Sequence, residues 1–325
     1  MAFSHDTVFM VDTRVELHTA VRKRRLSGKV TVNLEYLLLA LPAIVFFLMF
    51  RYLPMAGAIL AFKEYRYNLG IFGSPWAGFS NFEFFFTSPD FGRLMRNTMG
   101  YGFAFMVTTV VSSVTIALIL FEVKRRAAVK FYQTVMILPR FLSWVVVGFI
   151  TYLLFSHSNG VANTLLEATG NETIQWYTQP QYWPPILVSV NVWKAVGTGA
   201  ILYYAALMGV NKELYEAAEI DGAGRLKQTW HISLPALIPL MVVLTILAIQ
   251  QIVRGDFGLF YQIPRNVGSL YPTTDVIDTY VFRGLQSGEM AFTAAVGLFQ
   301  SVAGFLLITG TNLAVRRISP EHALF

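Results

Sequence analysis

Six blocks of apolar residues, separated by polar loops, dominate the pattern of this chain. They occupy residues 34–53, 99–121, 131–155, 185–210, 234–253 and 292–315. An α-helix needs about 20 residues to cross roughly 30 Å of hydrocarbon, so each block predicts one membrane span. We therefore expect an all-α integral membrane protein with six transmembrane helices.

The composition agrees with lipid as the main solvent. Hydrophobic residues make up 55% of the 325 positions and charged residues only 14%, whereas a soluble domain carries about 25% charged residues. Cysteine is absent, which excludes a disulfide framework and thiolate metal ligands. The histidines have no metal-site spacing, and no phosphate-binding Walker A loop is present. We expect no metal site and no catalytic site in this chain.

The basic residues predict the orientation. Lys and Arg concentrate before the first block, after the second and fourth blocks, and at the C-terminus, while residues 156–184 contain neither. Because cytoplasmic loops carry an excess of positive charge, both termini should be cytoplasmic. The net charge of +6 is largely explained by these loops. The chain is thus expected to be a multi-pass protein of the cytoplasmic (inner) membrane.

The loop between the fourth and fifth blocks carries a spaced motif. Alanine favours a helix, glycine permits a tight turn, a carboxylate suits the first turn of a helix, and proline suits the start of the next span. This order predicts a short helix on the membrane surface, either held by a partner or without one. The motif consists of Glu216, Ala217, Ala218, Gly222, Ile232, Leu234 and Pro235.

This motif resembles the coupling loop of the permease subunits of ATP-binding-cassette (ABC) importers. Residues 138–147 and 274–281 are similar to the polysaccharide and oligosaccharide branch of those permeases. The likeness runs from about residue 30 to the C-terminus, and the chain looks most similar to the first permease subunit of alginate importers. The resemblance implies a type I ABC importer permease fold.

The resemblance also implies a domain layout and partners. A cytoplasmic arm (1–33) would precede the first helix and a long external loop (34–97), the core transmembrane domain (98–316) with its coupling loop (210–235), and a tail (317–325). A second homologous permease, an ABC ATPase dimer that binds ATP and Mg, and an extracytoplasmic solute-binding protein would complete the importer. This chain would hold no cofactor. The implied ATPase-coupling residues are Glu216, Ala217, Ala218, Asp221, Gly222 and Ala223.

Polar residues inside the spans are candidates for a substrate path, because they are costly in lipid. Asn191, Lys194 and Thr198 share one helical face. Lys194 either meets a substrate carboxylate or hydroxyl, or it snorkels or pairs with another helix. Two further candidates, Gln250 and Arg254, lie at the end of the fifth span.

Arg140 directly follows Pro139 inside the third span. Because proline frees a backbone carbonyl and can kink a helix, Arg140 can contact the substrate or pair with a freed carbonyl or a partner carboxylate.

The loop before the sixth span offers a second candidate surface. It either docks the solute-binding protein or is simply solvated, and its candidate residues are Tyr271, Asp275, Asp278 and Arg283. For the whole chain we predict half of the translocation path for an oligo- or polysaccharide, with an acidic one favoured. The alternatives are the same machinery for a neutral oligosaccharide or small solute, a membrane enzyme, and a membrane scaffold or receptor.

Overall fold

The computed structural model describes residues 34–249 and 251–318, apart from the side chain of residue 318. The regular elements in these ranges are helices, and one isolated antiparallel bridge pairs Lys63 with Trp76. The predicted arm (1–33), Gln250 and most of the predicted tail (317–325) lie outside the described residues. For the described part of the chain, the all-α prediction is confirmed.

The chain divides into two units between Ile59 and Leu60. Helix α1 (Leu34–Phe62) passes through a π-helical segment, Leu48–Tyr52, and continues as a 3-10 helix. Its residues 34–56 are exposed and mostly apolar, as expected for a helix whose solvent is lipid. Residues 60–97, which the sequence grouped with the first helix, belong to the second unit.

The second unit contains eleven helices of six residues or more within its described part. They are α2 (Ser80–Thr87), α3 (Pro89–Glu122), α4 (Arg126–Phe141), α5 (Trp144–Phe155), α6 (Val161–Ala168), α7 (Trp183–Met208), α8 (Lys212–Ile220), α9 (Arg225–Ile249), α10 (Phe257–Gln262), α11 (Ile277–Gln286) and α12 (Met290–Ile318). Shorter helical turns lie between them, including Tyr271–Thr274.

Helix α7 lies at the centre of this unit and packs along α3 and α4. The contact with α4 is close because position 197 is glycine: a Cβ built on Gly197 would lie 2.0 Å from the carbonyl oxygen of Met136. Small residues permit such approaches between membrane helices, where packing and hydrogen bonds replace the hydrophobic effect as the main attraction. Helix α9 packs against α3, α7 and α12, so α3, α7 and α9 surround a common space.

The predicted third span is not one continuous helix. Helices α4 and α5 meet at a bend of 99° across Leu142 and Ser143. Ser143 begins α5 by accepting a hydrogen bond from the backbone N–H of Val146, and Pro139 removes one donor from the last turn of α4. Among the residues that the structure describes, five helices are long and apolar enough to cross a membrane, and the bent pair, if it is one span, makes six. Counted with the bent pair as one span, the expected number of six is confirmed, and the third span is bent close to Pro139, where the proline allowed a kink.

Two spans begin earlier than their apolar blocks. Helix α3 begins at Pro89, ten residues before its predicted start at 99, because the Ser88 hydroxyl accepts from the Asp90 N–H and proline suits the first helical position. Helix α9 begins at Arg225 and passes through a π-helical segment before Leu234. Pro235 therefore lies inside a longer helix and not at its first turn.

Candidate functional site

A cavity of about 400 Å³ lies between α3, α7, α9 and the segment that follows α9. Its size falls within the range of ligand pockets in proteins. The polar side chains that line it are Thr109, Ser113, Arg140, Asn191, Tyr203, Gln251, Arg254 and Asp256. Three of the predicted path residues, Arg140, Asn191 and Arg254, are therefore brought together at one cavity.

The face of α7 that lines this cavity differs from the predicted one. The lining residues of α7 are spaced by four along the helix: Asn191, Ala195, Gly199 and Tyr203. Thr198 is exposed elsewhere on α7, and Lys194 lies beside the lining face and is only 8% exposed. The predicted residues follow the spacing i, i+3, i+7, whereas the lining residues follow i, i+4, i+8, i+12. In a helix with 3.6 residues per turn these two rows point in different directions, and hydropathy alone does not show which row faces the cavity.

Lys194 instead bonds to the bend between α4 and α5. Its ammonium donates to the carbonyl oxygen of Leu142 and lies 3.4 Å from that of Pro139 and 3.5 Å from that of Arg140. It also lies 4.7 Å from the centre of the Trp144 ring, within cation–π range. The sequence left several roles open for Lys194. The contacts in the structure correspond to one of them, pairing with another helix.

Charge in the cavity comes from two guanidinium groups and one carboxylate. Neither Arg140 nor Arg254 forms an ion pair within the described part of the chain. The Asp256 carboxylate accepts from the N–H of Leu259 and so caps α10. The carbonyls at the end of α4 and at Leu142 are contacted by Lys194, and Arg140 itself lines the cavity.

Several lining residues were missed by the sequence analysis. Thr109 and Ser113 stand four residues apart inside the apolar α3, and this polar pair was a signal that could have been read. The Asn191 side-chain amide donates to the Thr109 hydroxyl at 3.4 Å. Tyr203 is 1% exposed, and its hydroxyl has no hydrogen-bond partner among the described residues.

The Glu216 loop folds as a short helix that ends at a glycine. Helix α8 begins after Asn211, whose side chain accepts from the Glu213 N–H. Glu216 therefore lies in the second turn and not the first, because the cap at Asn211 starts the helix earlier than expected. The remaining predicted loop residues, Ala217, Ala218, Asp221, Gly222 and Ala223, form its second half and its C-terminal cap.

The end of α8 is a Schellman motif. The N–H of Ala223 donates to the carbonyl of Ala218 at 2.8 Å, and that of Gly222 donates to the carbonyl of Glu219 at 3.0 Å. Gly222 has a φ of +75°, which glycine adopts without the steric penalty of a Cβ. The positive φ at position 222 therefore explains why the motif has a glycine there.

Side-chain contacts join α8 to two spans. The Tyr215 hydroxyl and the Ser233 hydroxyl are 2.9 Å apart, and the Tyr215 ring packs on Phe121 at 5.7 Å between ring centres. Beyond the helix, Arg225 pairs with Glu122 at 2.8 Å. A displacement of α8 would therefore act on the end of α3 and on the start of α9. Other parts of these two helices line the cavity.

The predicted docking residues Tyr271, Asp275, Asp278 and Arg283 are largely internal. The Asp275 side chain is fully buried and pairs with Arg283 and with Arg93 of α3. The Arg283 guanidinium lies over the Tyr271 ring at 4.2 Å, and Asp278 accepts from Gly255 and Gln300. These residues hold the segment after α9 against α3 and α12.

Comparison with known proteins places the chain in a family. A family model described as "Binding-protein-dependent transport system inner membrane component" matches residues 113–320. Protein LplB of Bacillus subtilis (strain 168) is 38% identical over 87% of this chain and 89% of its own length. The polygalacturonan/rhamnogalacturonan transport system permease protein YteP of the same strain is 34% identical over 92% and 93%.

Two solved structures have the same fold. A chain of a bacterial ABC transporter involved in the import of the acidic polysaccharide alginate matches with a TM-score of 0.82 and 33% identity, over 91% of this chain and 99% of its own. A bacterial alginate ABC transporter in complex with an alginate pentasaccharide-bound periplasmic protein matches with a TM-score of 0.82 and 32% identity, over 91% and 98%. This chain belongs to the family of binding-protein-dependent transport system inner membrane components and is a permease subunit of a carbohydrate ABC importer.

Proposed function

We propose that this permease forms half of the translocation path for an acidic oligo- or polysaccharide. A second, homologous permease supplies the other half, and a dimer of ABC ATPases binds ATP and Mg and drives the cycle. An extracytoplasmic solute-binding protein delivers the saccharide. Two relatives, the polygalacturonan/rhamnogalacturonan permease YteP and the transporter involved in alginate import, support an acidic cargo.

The observation that carries the acidic assignment is the pair of cavity arginines. Arg140 and Arg254 line one cavity, and neither is paired with a carboxylate of the described chain. A guanidinium group matches a carboxylate in shape and charge, and such hydrogen bonds are stronger than neutral ones. A chain of uronic acids would present a carboxylate on each sugar and could meet both arginines.

The neutral lining suits the rest of a saccharide. Thr109, Ser113, Asn191 and Gln251 offer hydroxyl and amide groups, each able to bond a sugar hydroxyl. A transport site must hold its cargo and then release it, so scattered polar contacts of this kind fit better than a tightly closed pocket.

We further propose that the Glu216 loop is the site at which the ATPase grips the permease. Ile220 ends α8 with 87% of its surface exposed, and an apolar side chain so open at a helix end is a natural anchor in a partner's cleft. Ala217 and Ala218 allow that partner to approach the backbone closely. ATP-dependent closure of the ATPase dimer would then shift the permease between inward-open and outward-open populations.

This assignment fixes an orientation. The Glu216 loop and both termini face the cytoplasm, where ATP is available, and the end of the bundle that carries residues 251–289 faces the binding protein. The excess of Lys and Arg in the cytoplasmic loops supports this arrangement. The chain is accordingly a multi-pass protein of the cytoplasmic (inner) membrane.

Reconstitution with its partner permease, ATPase and binding protein tests the substrate class. Loaded binding protein should stimulate ATP hydrolysis and uptake with oligouronates, and much less with neutral oligosaccharides of equal length. Arg140→Gln or Arg254→Gln should each raise the apparent KM for the oligouronate about 10-fold or more, as expected for a lost charge-assisted hydrogen bond. Arg66→Gln, which changes an exposed arginine paired with Glu64, is the matched control.

Equal stimulation by neutral and acidic sugars, with both cavity variants unchanged, would show that the cargo is not selected by charge. A complex that takes up a neutral oligosaccharide alone would replace the acidic assignment by the neutral one.

Ile220→Ser tests the coupling role separately. Because Ile220 is exposed, the change should leave folding intact and weaken co-purification of the ATPase. Phe72 is equally exposed, at 87%, but lies in the predicted external loop, so Phe72→Ser should retain the ATPase fully. Loss of the ATPase from both variants, or from neither, would contradict the assignment of this loop.

A further inference from the structure

The bend between α4 and α5 leaves the carbonyls of Arg140 and Leu142 without a backbone partner, whereas that of Pro139 accepts the N–H of Leu142 at 3.2 Å. At the end of any helix the last carbonyls lack an intrahelical N–H, and here that end lies within a pair of helices that are together long and apolar enough to cross a membrane. In hydrocarbon each unsatisfied carbonyl is costly. Such a break is stable only where another group satisfies it.

Lys194 supplies that group. Its ammonium bonds to the carbonyl of Leu142 and lies within 3.5 Å of those of Pro139 and Arg140. A lysine ammonium has three N–H donors and no acceptor, which matches a cluster of carbonyls. The Lys194 ammonium also lies 4.7 Å from the centre of the Trp144 ring, whose face attracts the positive charge through a cation–π interaction.

The same contact fixes the direction of Arg140. Its backbone carbonyl faces Lys194, whereas its guanidinium lines the cavity. Arg140 stands in the last turn of α4, two residues before the bend. Without Lys194, the last turn of α4, which carries Arg140, would lose a tie to α7, and the Arg140 side chain would no longer be held at the cavity.

We propose that Lys194 is a positioning residue of the transport path: it holds the bend between α4 and α5 and thereby keeps Arg140 directed at the saccharide. Its own ammonium does not touch the cargo. The effect on transport rests on the proposed function, whereas the effect on the bend does not.

A distance across the bend tests the first part directly. The chain has no cysteine, so Phe131→Cys and Leu153→Cys, at positions 64% and 54% exposed, can carry two spin labels. These positions are 22 residues apart, which gives about 33 Å between backbones in a straight helix and about 21 Å with the 99° bend. Pulsed electron–electron double resonance on the assembled complex in nanodiscs resolves the two distances.

Lys194→Met keeps the length of the side chain and removes its donors. We expect the short distance to broaden and shift towards longer values, while the matched control Lys124→Met, at an exposed lysine, retains the original distribution. Lys194→Gln, which keeps two N–H donors, should restore part of the short population. An unchanged distribution in Lys194→Met overturns the proposal.

Transport measured in two backgrounds tests the second part. Lys194→Met should raise the KM for the oligouronate about 10-fold, as loss of the Arg140 contact does, and should change it little when Arg140→Gln is already present. Equal effects in both backgrounds mean that Lys194 acts without Arg140, which overturns its positioning role. Should Lys194→Met not assemble, Lys194→Leu, which also removes the donors, carries the same tests, and wild-type distance and KM in that variant overturn the proposal.

The two proposals fail in different ways. If Arg140→Gln alone leaves uptake of the oligouronate unchanged, the acidic assignment at Arg140 is wrong, while a distance that still lengthens in Lys194→Met keeps Lys194 as the group that holds the bend.

Discussion

Asp275 and Arg283 form an ion pair where α3, α11 and the turn Tyr271–Thr274 meet. The Nη2 nitrogen of Arg283 lies 2.7 Å from each carboxylate oxygen of Asp275. Arg93 of α3 adds a bond at 3.1 Å, and the Thr279 hydroxyl donates to the same carboxylate at 2.8 Å. Because the Asp275 side chain is fully buried, its charge depends on these partners.

Asp275→Asn should therefore destabilise the permease. Removing one partner of a buried pair costs about 3–5 kcal/mol, but the Arg283 and Arg93 side chains are 22% and 30% exposed, so water compensates them in part. We expect a loss of about 2–3 kcal/mol and a melting temperature lower by several degrees in detergent. The measurement is a thermal unfolding curve followed by fluorescence.

The exposed pair Glu64–Arg66 provides the control. Its side chains are 62% and 54% exposed at a separation of 2.9 Å, and Glu64→Gln should cost less than about 0.5 kcal/mol. If Asp275→Asn unfolds at the same temperature as Glu64→Gln, the buried network does not hold the segment as we infer.

The number of spans could be predicted because it depends on a local property. A block of about 20 apolar residues has few alternatives to a helix in lipid. The turn at Gly222 is local in the same sense, since a helix that ends with a left-handed residue favours glycine there. Both predictions needed only neighbouring residues.

The bend in the third span could not be predicted in the same way. Pro139 signalled a kink, but the carbonyls exposed by the bend are satisfied by Lys194, which lies more than 50 residues away in sequence. The helix starts at Pro89 and Arg225 were also missed, because hydropathy marks the part of a helix that faces lipid and not its polar extension. The burial of Asp275 was missed because it requires Arg93 and Arg283 together in space.

The cap of α8 gives a second prediction. An alanine at position 222 would have room for its Cβ, since nothing lies within 4 Å, but it would have to hold a φ near +75°. The left-handed conformation costs an ordinary residue about 1–2 kcal/mol, enough to lower the ratio of capped to uncapped helix ends by a factor of about 5 or more. ATP hydrolysis stimulated by loaded binding protein should therefore fall in Gly222→Ala, by up to about that factor where the capped and uncapped ends are close in free energy.

Gly224→Ala is the control that separates the effect of the left-handed conformation at Gly222 from the effect of replacing a glycine as such. Gly224 also has nothing within 4 Å of an added Cβ, but its φ is −67°, which alanine adopts freely. We expect wild-type ATP hydrolysis from this variant. A Gly222→Ala complex as active as Gly224→Ala would show that the capped end of α8 does not limit coupling.

The raised pKa of the Asp278 carboxyl predicts how the stability of the permease depends on pH. Burial raises the pKa of its carboxyl above the usual value, although hydrogen bonds from Gln300 and from the Gly255 N–H and the charge of Arg254 oppose that shift. The folded state thus binds the proton more tightly than the unfolded chain. Its contribution is complete below the ordinary Asp pKa of 3.8, and it is lost as the pH rises through the raised value.

Asp278→Asn removes this titration and keeps an oxygen that can accept from Gly255 and Gln300. The melting temperature of the variant relative to wild type should therefore rise between about pH 4 and pH 7, because only the wild type loses stability through this group. Leu165→Ala, at an exposed residue of α6 without a titratable group, should give a flat difference over the same range. A flat difference for Asp278→Asn as well would mean that Asp278 titrates alike in the folded and unfolded chain, in which case the contacts with Gln300 and Gly255 fully offset its burial.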